Sequence, residues 1–270
     1  TQFDSYNSGK PEDSSNIMFS LSTDAGANWT VAVRINVIAG DCRDSSNSTE
    51  GAVPCIGPDG EIYAGWSNQN KLFFDKSTDG GITWLERDII AGDQYGGWAY
   101  DIPDIYRCNG LPVTACDISS GTYRGTIYIN YTDRKNGDDD VDVFIVKSND
   151  GGNNWSEAIR VNDDPVGNKK QQFMSWMYVD PVTGAISIIF YDRRNYDDSR
   201  TDVYLARSVN GGETFTNMKI SEEPFTPEKG IFFGDYIGVN SLNDFTACLW
   251  QRLEDSKLSI IYCGIDFKKQ

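Results

Sequence analysis

The chain has 270 residues, 39% of them hydrophobic and 13% aromatic, which is apolar material enough for a packed core and unlike a disordered chain. Its 40 Asp and Glu against 24 Lys and Arg leave a formal charge of −16 and a pI near 4.3, which argues against nucleic acid and anionic membrane surfaces as partners. It has no histidine, so Ser-His-Asp and Cys-His nucleophile systems and His-ligated zinc sites are excluded. The 6 cysteines contain no C-x-x-C, and an even count suits disulfides formed in an oxidising compartment.

No signal peptide, long apolar run or lipidation motif is visible, so no membrane insertion is expected. The chain reads as a mature product or a trimmed piece of one. Taken in order, it opens on Thr1-Gln2-Phe3-Asp4-Ser5-Tyr6, which lines up with Asn130-Tyr131-Thr132-Asp133 and Phe190-Tyr191-Asp192 further on. A strand over 17–21 then leads into Ser22-Thr23-Asp24-Ala25-Gly26-Ala27-Asn28-Trp29. The same box returns as Ser77-Thr78-Asp79-Gly80-Gly81-Ile82-Thr83-Trp84 and as Ser148-Asn149-Asp150-Gly151-Gly152-Asn153-Asn154-Trp155. A worn copy, Ser208-Val209-Asn210-Gly211-Gly212-Glu213-Thr214-Phe215, keeps the spacing.

The pattern S-x-D-x-G-x-x-W is built for a tight turn. Ser and Asp side chains bond nearby backbone N–H groups, and Gly accepts a positive φ without steric cost. The aromatic is expected to fold back and bury itself under the hairpin it closes. Boxes start at 22, 77, 148 and 208, so the spacings are 55, 71 and 60. An apolar strand precedes each box (17–21, 72–74, 141–146, 203–206) and another follows, as at 31–38 and 159–161. Ahead of each such pair stands a second hairpin, with turns at Pro58-Asp59-Gly60, Asp180-Pro181-Val182-Thr183-Gly184 and 240–244. The units fall near 50–90, 97–161, 172–220 and 232–266, after a partial one that starts inside its second strand. The last unit ends without a fourth strand. Four-stranded antiparallel units at this period are the pattern of β-propeller blades.

The boxes are similar to the Asp-box (BNR) repeats of the sialidase-like propellers, and the Tyr191-Asp192-Arg193-Arg194-Asn195 run looks most like secreted bacterial members of that family. The resemblance spans nearly the whole chain. It implies an all-β propeller of four-stranded blades with Asp-box turns, five units being recognisable and the first and last incomplete. Residues 1–270 are expected to form a single domain lacking an upstream N-terminal portion. It also implies a secreted, periplasmic or cell-surface protein directed at a glycan or glycoprotein, by hydrolysis or by binding. Similar boxes occur in sorting receptors and assembly factors, so a non-catalytic interaction or adhesion module is the alternative.

Alternation of the strands assigns every connection to one of two ends. Box turns share one end; the loops at 133–140 and 192–198 and the long connections 41–51, 93–110, 162–172 and 221–234 share the other. Long loops are commonly functional, and this end is the active one in sialidase-like enzymes. Sialidases hold the substrate carboxylate with arginines and use a Tyr nucleophile activated by Glu, with an Asp as acid/base. Any glycosidase of the common type needs two carboxyl groups flanking one bond. The candidates here are Glu50 and Asp235 as the carboxyl pair, Tyr236 as the alternative nucleophile, and Asp101, Arg107 and Trp176 as substrate ligands. The chain departs from the family in having no Phe/Tyr-Arg-Ile-Pro motif, of which Asp101-Ile102-Pro103 is a faint echo, and no three arginines form the carboxylate set.

The plainer readings stand beside these. Asp133-Arg134 and Asp192-Arg193 recur at one blade position, as loop-bracing ion pairs would. No cofactor is required by this chemistry. Asp138, Asp139, Asp140, Asp197 and Asp198 offer oxygens of the kind Ca²⁺ takes, without EF-hand spacing, so solvated acidic loops are the simpler account. Cys248 and Cys263 lie symmetrically about a turn at 254–256, within expected disulfide reach. Cys108 with Cys116 and Cys42 with Cys55 are the other expected pairs.

Overall fold

The computed structural model, which describes residues 1–269, is built of short strands joined by tight turns at one end and by longer irregular connections at the other. Sheet I is fragmentary: Gln2–Phe3 pairs with Ser15–Asn16, and Met18–Phe19 with Val33–Arg34. Sheet II comprises Glu50–Ile56, Ile62–Asn68, Lys71–Ser77 and Ile89–Asp93; sheet III comprises Val113–Cys116, Ile127–Asp133, Asp142–Ser148 and Ile159–Arg160. Sheet IV is built of Gln172–Val179, Ile186–Asp192, Asp202–Ser208 and Thr216–Lys219, and sheet V of Gly238–Leu242, Phe245–Glu254 and Lys257–Asp266. Each is antiparallel with its strands in sequence order. Two expectations need correcting. The strand at 31–38 exists only as Val33–Arg34, and residues 99–109 form a separate hairpin, Ala99–Tyr100 with Cys108–Asn109, outside sheet III.

The middle strands read as continuous apolar runs because both of their faces are covered. Ile127, Ile129 and Tyr131 of sheet III meet Leu72 and Phe74 of sheet II, while the intervening Tyr128 meets Ile186 and Ile188 of sheet IV. Ile189, Tyr191 and Leu205 then turn towards Val239, Cys248 and Trp250 of sheet V. Ile17 and Ile35 of sheet I close on Ala64, Trp66 and Phe73 of sheet II. Fully burying one such side chain contributes about 1.5–3 kcal/mol, so these four interfaces dominate the stability. The sheets therefore pack face to face in chain order, with the first strands of sheets II to V side by side. That is how propeller blades stack. Sheet V is covered on one face; the other exposes Leu242, Leu249, Ile260 and Tyr262.

The four box turns share one hydrogen-bond pattern. The Ser hydroxyl accepts from the N–H four residues on (Gly26, Gly81, Gly152, Gly212) at 2.8 to 3.0 Å. The carboxylate of Asp24, Asp79 or Asp150, or the amide oxygen of Asn210, accepts from the N–H four residues beyond it. The aromatics do not serve their own hairpins alone, although the Trp155 indole donates to the Gly152 carbonyl of its own box at 3.0 Å. Each leans on the preceding sheet: Trp84 meets Phe19 and Trp155 meets Phe74, both edge-on at 5.1 Å. Trp84 is consequently only half-buried, and Trp29 is 64% exposed. The neighbouring ring also explains the second glycine. A Cβ on Gly152, at φ +84°, would stand 2.2 Å from the Phe74 ring, and one on Gly81 2.3 Å from Phe19.

The recurring Asp-Arg positions are not ion pairs. Asp133 and Asp192 instead accept the backbone N–H two residues on, at 2.8 and 2.7 Å, an Asx turn that opens the loop. Arg134 and Arg193 reach across to the carbonyls of Gly96 and Pro103, and it is Arg194 that pairs with Asp192, at 2.7 Å. The acidic loops are engaged by cations and amides: Asp139 with Lys169, Asp197 with Lys170, Asp198 with Arg200, and Asp140 with the N–H groups of Gly167 and Lys169. Among the described residues no cluster of three acidic or sulfur ligands is placed to hold a metal. All 6 cysteines are free thiols. Cys248 lies opposite Cys263 in register and Cys116 shares a crevice with Cys55, but none of the three expected disulfides, Cys248 with Cys263, Cys108 with Cys116 and Cys42 with Cys55, is formed. No helix among the described residues is long and apolar enough to cross a membrane.

Candidate active site at the long-loop end

The first strands of sheets II and IV both lose register near the long-loop end. A bulge falls between Glu50 and Val53 in one and between Phe173 and Trp176 in the other. Bulges re-aim side chains, and both of these lie on the wall of one cavity. Gly51 is required in the first: its φ is +79°, and a Cβ would come within 2.8 Å of Pro112. In the second, Met174 is held at φ +50° although buried, a conformation that costs an ordinary side chain about 1–3 kcal/mol.

The cavity, about 370 Å³, is lined by Glu50, Trp176, Asp235 and Tyr236 among others. That volume falls within the range of roughly 300–1,000 Å³ typical of small-ligand sites. Glu50 opens the first strand of sheet II; Asp235 and Tyr236 lead into the first strand of sheet V, held by the Asn109 amide donating to the Asp235 carbonyl at 3.0 Å. Tyr236 stands edge-on to Trp176 at 5.8 Å. Arg107, on the 99–109 hairpin, places Nε 3.1 Å from Asp235 Oδ1 and Nη1 3.3 Å from Asp44 Oδ2. The contact to Asp235 is not aligned as a hydrogen bond, so Oδ1 is buried with a charge partner but no donor. Asp44 also accepts the Tyr6 hydroxyl at 2.7 Å.

The two carboxyl environments differ. Burial pushes the Glu50 carboxyl above its ordinary range, and the Asp44 charge adds to this, while the Ser48 hydroxyl (2.7 Å from Oε1) and Arg107 oppose it. Asp235 faces a guanidinium instead. The Tyr236 phenol is raised by burial and then by the negative charges of Asp235 and Glu50. The two carboxyl groups thus stand in contrasting surroundings, one shaped by burial and the other by a guanidinium, as a pair with different roles in acid/base chemistry would.

Of the six residues singled out from sequence, Glu50, Trp176, Asp235 and Tyr236 come together on one cavity and Arg107 touches Asp235. Asp101 does not join them: it is exposed, in an adjoining cleft with Asp44, Tyr106, Arg107 and Arg134. Sequence reasoning missed Asp44, one Asp in a Ser/Asn-rich connection with no local signal. It also missed Asn109, and Ser48, which only its bond to Glu50 marks out. A depression of similar size between sheets II and III, around Ile90, Tyr131 and Trp155, lies away from the inner strands.

No family model matches this chain, and no curated protein matches it. Solved structures do. A protein of unknown function from Dyadobacter fermentans superposes with a TM-score of 0.56 at 16% identity, over 96% of this chain and 70% of that one. The α-L-arabinofuranosidase Arb93A of Fusarium graminearum gives 0.52 at 13%, over 81% and 62%. A Hadza microbial sialidase gives 0.51 at 13%, over 87% and 51%. The chain spans less than two thirds of the length of both glycosidases. At these identities the likeness is one of fold: the chain shares the all-β architecture of propeller glycosidases.

Proposed function

We propose that this chain is a glycan-directed propeller whose cavity at the long-loop end cleaves a glycosidic bond. The observation that carries the reading is that Glu50 and Asp235, from opposite ends of the chain, line one cavity in contrasting surroundings. Glu50 is the general acid. It donates its proton to the oxygen of the leaving sugar as the glycosidic bond breaks. Asp235 is the base or nucleophile: its carboxylate either takes a proton from the attacking water or attacks the anomeric carbon itself, water then releasing the sugar. Arg107 orients Asp235 through the 3.1 Å contact to Oδ1. Trp176 and Tyr236 supply the apolar wall against which a sugar ring rests. The raised Tyr236 phenol makes it a poor nucleophile, which favours Asp235 for that role.

The reading carries with it a glycan or glycoprotein partner and a secreted or cell-surface location. The test is turnover of a panel of aryl and oligosaccharide glycosides. Glu50→Gln and Asp235→Asn are each expected to lose at least about 10²-fold in kcat/KM, with the thermal midpoint nearly unchanged. No turnover of any glycoside by the folded wild type would leave the non-catalytic binding module as the correct account.

A further inference from the structure

The charges around the cavity bear on which sugars it takes. Glu50 and Asp235 line it, and the cleft beside it adds Asp44 and Asp101. Against these four carboxylates the side chains offer two cations, the guanidiniums of Arg107 and Arg134, and Thr1 also lines the cavity. Arg107 is not free to clamp an incoming anion, and Arg134, which has no carboxylate partner among the described residues, is tied to the cleft wall by one hydrogen bond. Arg107 is committed to Asp235 at 3.1 Å and to Asp44 at 3.3 Å. Arg134 donates to the Gly96 carbonyl at 3.0 Å and lies over the Tyr100 ring, with its Nε buried. A sugar carboxylate binds tightly through a two-pronged contact with a guanidinium. Here it would have to displace Asp235 or Asp44 from Arg107, leaving that carboxylate unpaired, and then sit among like charges. Both effects oppose binding.

The second observation lies in the adjoining cleft. Tyr106, 60% exposed, and Phe232, 50% exposed, pack edge-to-face at 6.0 Å. Tyr106 lines the cleft together with Arg107, and Arg107 reaches Asp235 on the cavity wall. Two large rings held open to water beside a strongly acidic surface offer flat apolar faces to the C–H face of a sugar ring, which needs no charge partner.

The geometry points to an uncharged glycan of at least two sugar units as the ligand, one unit in the cavity at Glu50 and Asp235 and the next in the cleft against Tyr106, whose ring Phe232 braces. This rests on the glycan reading above. It separates the site from one that recognises sialic or uronic acids, whatever the chemistry that follows.

Calorimetric titration of the wild type tests it. The neutral probes are arabinose, xylose and glucose with their linear di- and trisaccharides; the acidic probes are sialyllactose and digalacturonic acid. At least one neutral disaccharide is expected to bind about tenfold or more tighter than either acidic probe. Tyr106→Ala and Phe232→Ala are each expected to lower affinity for that disaccharide about tenfold more than for its monosaccharide. Asp44→Asn, which releases one arm of Arg107, should narrow the gap between neutral and acidic probes. An acidic probe that binds the wild type as tightly as any neutral one overturns the assignment of charge class and leaves the glycan reading standing. Disaccharide and monosaccharide affinities that fall together in both aromatic variants overturn the second subsite. No binding of any probe to folded protein removes the glycan reading itself.

Discussion

The two ends of the sheets are built on opposite terms. At the box end four turns repeat one hydrogen-bond pattern, with Ser and Asp side chains holding the same backbone N–H groups each time. Lys76 and Lys147 repeat as well, each donating to a carbonyl in the box of the next sheet, at Gly151 and Gly211. At the other end hardly any two connections are alike. Sheets II and V turn there in two residues at positive φ, Gln69-Asn70 and Asp255-Ser256, whereas sheets III and IV use acidic loops. The carboxyl groups that share a cavity come from two such dissimilar connections. Repetition marks where the fold is held; loss of repetition coincides with the cavity that carries the proposed site. Regular turns leave the other end free to vary, because stability comes from the interfaces between sheets and from the boxes that touch across them.

If that division is right, damage at the box end should cost stability and leave the site alone. The largest effect is expected for Gly152→Ala, which strains a positive φ and drives a methyl into the Phe74 ring. About 3 kcal/mol of stability should be lost, read from denaturant midpoints, with ligand affinity per folded molecule unchanged. A normal midpoint would show that the box does not press on the next sheet.

Trp84→Ala and Trp29→Ala sharpen the same point. The two tryptophans hold equivalent places in their boxes, so a purely local role predicts equal losses. Packing on the preceding sheet predicts unequal ones: about 2 kcal/mol for half-buried Trp84 and less than about 0.5 kcal/mol for exposed Trp29. Equal losses would return the aromatic to its own hairpin.

The smallest effect concerns pH. Asp133 and Asp192, where the acidic loops begin, and Asp75 before the sheet II box are each pushed up to about 6, burial being the first cause in all three. Their folded pKa exceeds the unfolded value near 3.8, so the native state binds more protons between these limits and gains stability as pH falls from about 6.5 to 4.5. Asp79 and Asp150 in the boxes work the other way. Hydrogen bonds led by Thr83 and Asn154 lower them to about 2, so their contribution is present above pH 4 and lost as pH falls towards 2. The thermal midpoint should therefore rise by about 2–5 °C from pH 7.5 to 4.5 and fall below pH 3.5. Asp133→Asn should flatten the rise, and Asp79→Asn the fall.

Much of this molecule is legible in the chain because its determinants are local. A box turn needs only Ser, Asp and Gly at fixed offsets, and its hydrogen bonds close within four residues. Apolar runs show which strands are covered on both faces, and loop lengths show which end varies. Glu50, Trp176 and Asp235 were found because strand entrances at one end of stacked sheets share one concavity. What no local pattern carries is the identity of the neighbour. The ring Trp84 touches, the thiol beside Cys55 and the two carboxylates that take Arg107 are each set by which sheet or connection stands next to it. Asp44 and Asp235 look alike in sequence, an Asp in a loop. Only packing brings both against one guanidinium, because sheets on either side of the cavity must first stack before charges so distant along the chain come within 4 Å.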